Sequence, residues 1–194
     1  MGQFTAIAEV TESIIQVLDA AYAAAGLAVT VEASDLQGNI STAPARLTVF
    51  LFQVKEDGHA RNRPPTVQPG VPQATLQKPP LALAVHYLLT PWSGSRQSDQ
   101  QILGIALQTL HESAIITGPS LVGSLASGNE ALHLTLTPLT IEEQTRVWVA
   151  VQKPYRLSLH YEVRVVRIES LEATLRSTVR SRGLAPASPS EVAP

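Results

Sequence analysis

Cysteine is absent from the 194 residues. That excludes disulfides, thiol catalysis and any cysteine-ligated zinc or iron–sulfur site. Charge is scarce as well, at 15% of the chain against roughly a quarter in an average soluble domain. A largely neutral surface suits a subunit covered by neighbours better than a free monomer. A basic excess is also missing: 14 Lys and Arg stand against 16 Asp and Glu, a net charge of −2. The basic positions are scattered, so no nucleic-acid partner is expected. No window of about 20 residues is apolar enough to cross a bilayer, which argues against membrane insertion. The opening stretch has no basic region before its apolar part, and Glu9, Glu12, Gln16 and Asp19 interrupt it. It does not read as a signal peptide. Ala6 stands where a myristoylation motif after Gly2 needs Ser or Thr. A protein made and kept in the cytoplasm, at least until assembly, is the expectation.

What is present is an ordinary apolar content, 44%, in a chain long enough for one domain, or one domain and a tail. Ile7, Val10, Ile14, Val17, Leu18 and Ala21 predict a helix over Phe4 to Ala25, stopped by Gly26. Val29 and Val31 mark a short strand, and "DLQGN" a turn. Arg46 to Val54 is apolar on both faces, as in a central strand covered on both sides. The Pro- and Gly-rich stretch from Gly58 to Pro80 reads as a long loop. Leu81 to Leu89 predicts a second long strand. Ser98 with Gln101 predicts the capped start of a helix whose apolar face holds Ile102, Ile105, Ala106 and Leu110. Ala131 to Leu139 alternates as a strand, and Thr140 with Glu143 predicts a capping box on a helix that Pro154 ends. Last, Leu157, Leu159, Tyr161, Val163 and Val165 share one strand face, opposite Arg156, Ser158, His160, Glu162 and Arg164. Strands in sequence with few crossovers predict an α+β domain: a mixed, largely antiparallel sheet packed with two or three helices. From about Leu171 the chain turns polar and basic, then rich in Pro, Ala and Ser, and reads as an extended C-terminal arm. The expected division is a domain over residues 1–170 and an arm over 171–194.

Chemistry finds little purchase in this pattern. The histidines are His59, His86, His111, His133 and His160, and none pairs at metal-ligand spacing. His86 and His160 each precede a tyrosine in an apolar run and read as polar positions on packed strands. "GPSLVGSLASG" lacks a nucleophile elbow, and no phosphate-binding glycine motif occurs. Glu142 and Glu143 in a first helical turn complement the helix dipole rather than form a catalytic pair. No enzyme, cofactor or metal site is expected. The candidate interface residues are Trp92, Trp148, Tyr155, Arg156, Arg164, Arg176, Arg180 and Arg182, of types enriched in binding hot spots. General burial statistics nonetheless favour a core position for both tryptophans.

Four ordered blocks carry a resemblance. They are "VTESIIQVLDAAY"; "RLTVFLFQVKEDGHARN"; "PPLALAVHYLLTPW" running into "QQILGIALQTLHE"; and "LTPLTIEEQTRVWVAVQKPYRLSLHYEVRVVRI". Together they resemble the cap, or tube-terminator, family of phage-tail-like contractile injection systems. The resemblance implies a tail-terminator-like fold in a bacterial particle and a ring, expected to be a hexamer, seated on the last ring of the inner tube. It implies contact with the inner tube protein and the terminal sheath protein, with no catalysis and no cofactor. The stretch after Leu171 lies outside it. A non-catalytic adaptor that binds a partner chain is the alternative.

Overall fold

The computed structural model describes residues 4–70, 73–128, 130–170 and 173–177. They divide into two compact units. One is drawn from the stretch ending at Arg63 and from Pro80–Glu169; the other from Pro64–Pro79 and the stretch beginning at Ser170.

The larger unit is built on a six-stranded sheet. Its strands are β1 (Val29–Ala33), β2 (Ala45–Glu56), then β5 (Leu81–Trp92), β6 (Ile115–Thr117), β7 (Ala131–Leu136) and β8 (Leu159–Ile168). The order across the sheet is β1-β2-β5-β8-β7-β6. Only β1–β2 is parallel; the other pairs are antiparallel. The mixed, largely antiparallel α+β architecture expected from the sequence is therefore what forms. Alternation sends two sets of side chains to opposite faces of the central strands. Leu47 and Val49, then Leu83, Val85, Tyr87 and Leu89, then Tyr161 and Val163, face one way into the main core. Thr48 and Phe50, His86, Leu88, Thr90 and Trp92, and His160 occupy the other positions.

Helices α1 (Ala6–Ala24) and α2 (Arg96–Glu112) cover the main-core face. Val10, Ile14 and Leu18 of α1 pack there with Ile102, Leu103, Ala106 and Leu110 of α2. Buried phenols fix the layers to each other: Tyr22 Oη donates to the Ile102 carbonyl (2.8 Å), and Tyr87 Oη lies 2.8 Å from Thr11 Oγ1. Burial pushes the Tyr87 hydroxyl up to about 12, so it stays a neutral partner. The helix α3 (Ile141–Ala150) lies on the second face, where Trp148 joins Leu36, Leu88, Trp92 and Val151. At the β1 edge, Asp19 of α1 accepts a hydrogen bond from the Val31 N–H (3.2 Å). That covers a backbone donor another chain would otherwise pair with.

Three expectations shift in detail. Helix α2 starts a turn earlier than Ser98: Ser95 is extended, and its hydroxyl accepts the Ser98 N–H as the true cap. The register of β2 against β5 slips between Leu51 and Gln53, and that of β5 against β8 slips between Leu83 and Val85. Each slip is a β-bulge that inserts a residue and reverses the alternation beyond it, so Val166 follows Val163 into the core. The stretch expected as a long loop contains two strands, β3 (Thr66–Gln68) and β4 (Gln73–Gln77). In the smaller unit these form an antiparallel sheet with β9 (Ala173–Ser177), in the order β3-β4-β9. Composition hides them because β4 pairs with a strand nearly 100 residues away in the chain.

Candidate interaction surface

The second face carries the polar and aromatic residues that the sequence singled out. Trp92 ends β5 with its indole N–H donating to Thr48 Oγ1 (3.0 Å), and Thr48 passes the bond to the Thr90 carbonyl (3.1 Å). Thr90 Oγ1 lies 2.8 Å from Ser158 Oγ, which donates to the Arg156 carbonyl (3.1 Å). This satisfied chain lets hydroxyls sit under an aromatic layer without the penalty of unpaired buried groups. Trp148 meets Trp92 edge to face, with ring centroids 6.5 Å apart, a favoured quadrupole arrangement.

Arg156 lies over the outer face of Trp92, its Cζ 4.4 Å from the ring centroid. Its Nη2 donates to Asp99 Oδ2 (2.8 Å) and to the Pro91 carbonyl (3.1 Å). Ser93 Oγ lies 2.7 Å from the other Asp99 oxygen. The guanidinium therefore ties the end of β5, the first turn of α2 and the chain entering β8. Arg96, Asp99, Gln100, Tyr155, Arg156 and Leu157 line a cleft of about 340 Å³ here. Tyr155 is half exposed, with its phenol donating to Gln144 Oε1 of α3 (3.0 Å).

Helix α3 borders this corner. Thr140 Oγ1 accepts the Glu143 N–H and the Glu143 carboxylate accepts the Thr140 N–H, the capping box read from the sequence. Those bonds from Thr140 draw the Glu143 carboxyl below its ordinary value. Trp148 is the helix's one fully buried residue. Ile141 and Val149, eight apart on one flank with Thr145 between them, are 69% and 68% exposed. With Leu157 and Tyr155 they place apolar surface in water, an arrangement characteristic of interaction sites. The sequence reading missed Ile141, Val149 and Leu157. Periodicity could not separate them, since Ile141 lies seven residues before Trp148 on the same helix stripe.

The other candidates are dispersed. Trp148, at 1% exposure, supports the surface from beneath. Arg164 lies farther along β8, paired with Glu162. Arg176 is exposed on β9 of the smaller unit. Arg180 and Arg182, with the rest of the arm beyond residue 177, lie outside the described residues. His86 and His160 stack with centroids 5.3 Å apart, flanked by Phe52. Among the described residues, no three metal-ligating side chains gather.

Residues 9–182 match the Pvc16 N-terminal domain family. The chain belongs to that family. Two terminators among solved structures share its fold. One is the sheath/tube terminator of PVC, an extracellular contractile injection system, in its extended state. The identity is 17% and the TM-score 0.59, with 93% of this chain and 64% of that one covered. A second is the tube-terminating cap of the anti-feeding prophage, at 21% identity and a TM-score of 0.53, with 73% of this chain and 50% of that one covered. The chain thus spans less than two thirds of the length of either terminator. No curated protein matches it.

Proposed function

We propose that this protein is a structural cap that terminates the inner tube and sheath of a contractile injection system at the end distal to the baseplate. The observation that carries the reading is membership of the Pvc16 N-terminal domain family over residues 9–182, joined to a fold shared with two terminators. A ring, expected to be a hexamer, would seat on the inner tube protein and contact the sheath protein. The protein would be made in the bacterial cytoplasm and leave as part of the particle. The neutral surface and the exposed flank of α3 support the reading, since a terminator works by contact and needs no catalytic group.

Within this proposal, α3, Tyr155, Arg156 and Leu157 form a contact face, and the two tryptophans hold it rigid. Arg164, Arg176, Arg180 and Arg182 are further contacts. Residues 1–170 act as the cap domain and 171–194 as an arm reaching the sheath or an adjacent cap subunit. Electron microscopy of particles carrying this subunit with a label tests the whole: label at the end distal to the baseplate is expected. Label at the baseplate, or none on particles, would refute it. Particles built with a chain ending at residue 170 should lose cap occupancy; unchanged occupancy and tube length would remove the arm from the proposal.

A further inference from the structure

The contact between His86 and His160 has only one neutral arrangement of protons. His160 Nδ1 lies 2.6 Å from the Thr137 carbonyl, which can only accept, so this nitrogen carries the hydrogen. His160 Nε2 is then a lone pair. It sits 3.1 Å from His86 Nδ1, which must donate to it. That leaves His86 Nε2 as a lone pair too, buried and without a partner. An unmet lone pair on a neutral ring already costs something there, and an unmet N–H on a charged ring costs more.

Added protons have no good place to go. On His86 Nε2 a proton meets no acceptor. On His160 Nε2 it faces the N–H of His86 and breaks the contact. Glu162 on β8 favours charge on both rings, and Glu143 of α3 favours it on His160. Lys55 on β2 opposes charge on both, as Arg164 on β8 does for His86. Burial is the largest influence and holds both imidazoles below their ordinary value of 6.5. The His160 bond to the Thr137 carbonyl, four residues before the start of α3, persists when the ring is charged, but Phe52 packs on both imidazoles and on the apolar cluster that holds Trp148 and Val147 of α3.

We propose that the His86–His160 stack is a pH-sensitive latch beneath α3: mild acid charges the pair, breaks the His86–His160 bond and, through Phe52, loosens the helix from the sheet. The sign follows from linkage. Groups neutral when packed and charged when released bind more protons in the released state, so packing weakens as pH falls through 6.5. The inference concerns the chain alone and stands whether or not the cap reading does.

Hydrogen exchange of the full chain between pH 7 and pH 5, corrected for intrinsic rates, tests it. Opening of residues 137–151 should rise relative to α1, by up to about 25-fold for each histidine that stays neutral when packed. Trp92 and Trp148, the only tryptophans in the chain, should report the same step by fluorescence. His86→Asn and His160→Asn each keep an N–H donor but cannot charge, and should flatten the response. Equal pH dependence in α3 and α1, or an undiminished response in both variants, overturns the latch. Should the variants not fold, titration of the wild-type imidazole C–H resonances decides: two rings titrating at the ordinary value overturn it, and two titrating below it support it.

Discussion

Gly123 shows how one residue can be decided from outside its own segment. Its φ is +63°, and a Cβ built there would meet the Glu9 carboxylate at 2.6 Å. That carboxylate has nowhere to move, because Thr5, Ser124 and the Leu125 N–H all donate to it. Gly123→Ala should therefore destabilise the protein by about 1–3 kcal/mol in urea unfolding, and an unchanged midpoint would show that Glu9 yields. Glu9 itself adds a pH term. Burial alone would raise its pKa, but the bonds from Ser124, Thr5 and Leu125 outweigh it and leave the net value lowered from 4.5. A lowered folded pKa means stabilisation present above 4.5 and lost as pH falls below it. The urea midpoint of wild type should thus drop more between pH 5 and pH 3 than that of Glu9→Gln. Neither feature is readable locally, since Glu9 and Ser124 lie 115 positions apart.

Helix ends show the same division at the scale of elements. Helix α1 closes with Gly26 at φ +69°, with the Leu27 N–H on the Tyr22 carbonyl and the Gly26 N–H on that of Ala23. This is the glycine-terminated stop expected from the sequence. Helix α3 closes with the same pair of bonds, Lys153 to Trp148 and Gln152 to Val149. Here Gln152 takes φ +56°, where a side chain is disfavoured. Replacing Gln152 with Gly should raise stability by about 0.5–1 kcal/mol; a loss would mean its side chain contributes something the backbone argument omits. The attachment of α3 is narrow. Trp148→Ala should cost about 3–5 kcal/mol and abolish protection of residues 141–151 in hydrogen exchange. Retained protection would show that the capping box and Val151 suffice. The capping box was legible because it is local, four residues long. The bulges in β2 and β8 were not, because a register slip belongs to a pair of strands.

For the whole molecule, the proposed contact face is where α3 meets the chain around residues 155–157. Val149→Asp changes an exposed position, so the isolated chain should keep its stability within about 0.5 kcal/mol. Retention on assembled particles should fall, and full retention would place the contact elsewhere. The sequence by itself determined the class of fold, the long central strands, the capped helix and the family resemblance, although β2 is covered only up to Phe52 and exposed from Gln53. All of these rest on periodicity or on residues a few positions apart, which the chain carries wherever it packs. Tertiary structure alone decided that Trp148 lies beneath the surface while Ile141 and Val149 remain outside. It also decided that Arg156 stacks on Trp92 and that His86 meets His160. These depend on which strands become neighbours and in what register: His86 and His160 are 74 positions apart, and only the antiparallel pairing of β5 with β8 brings them together.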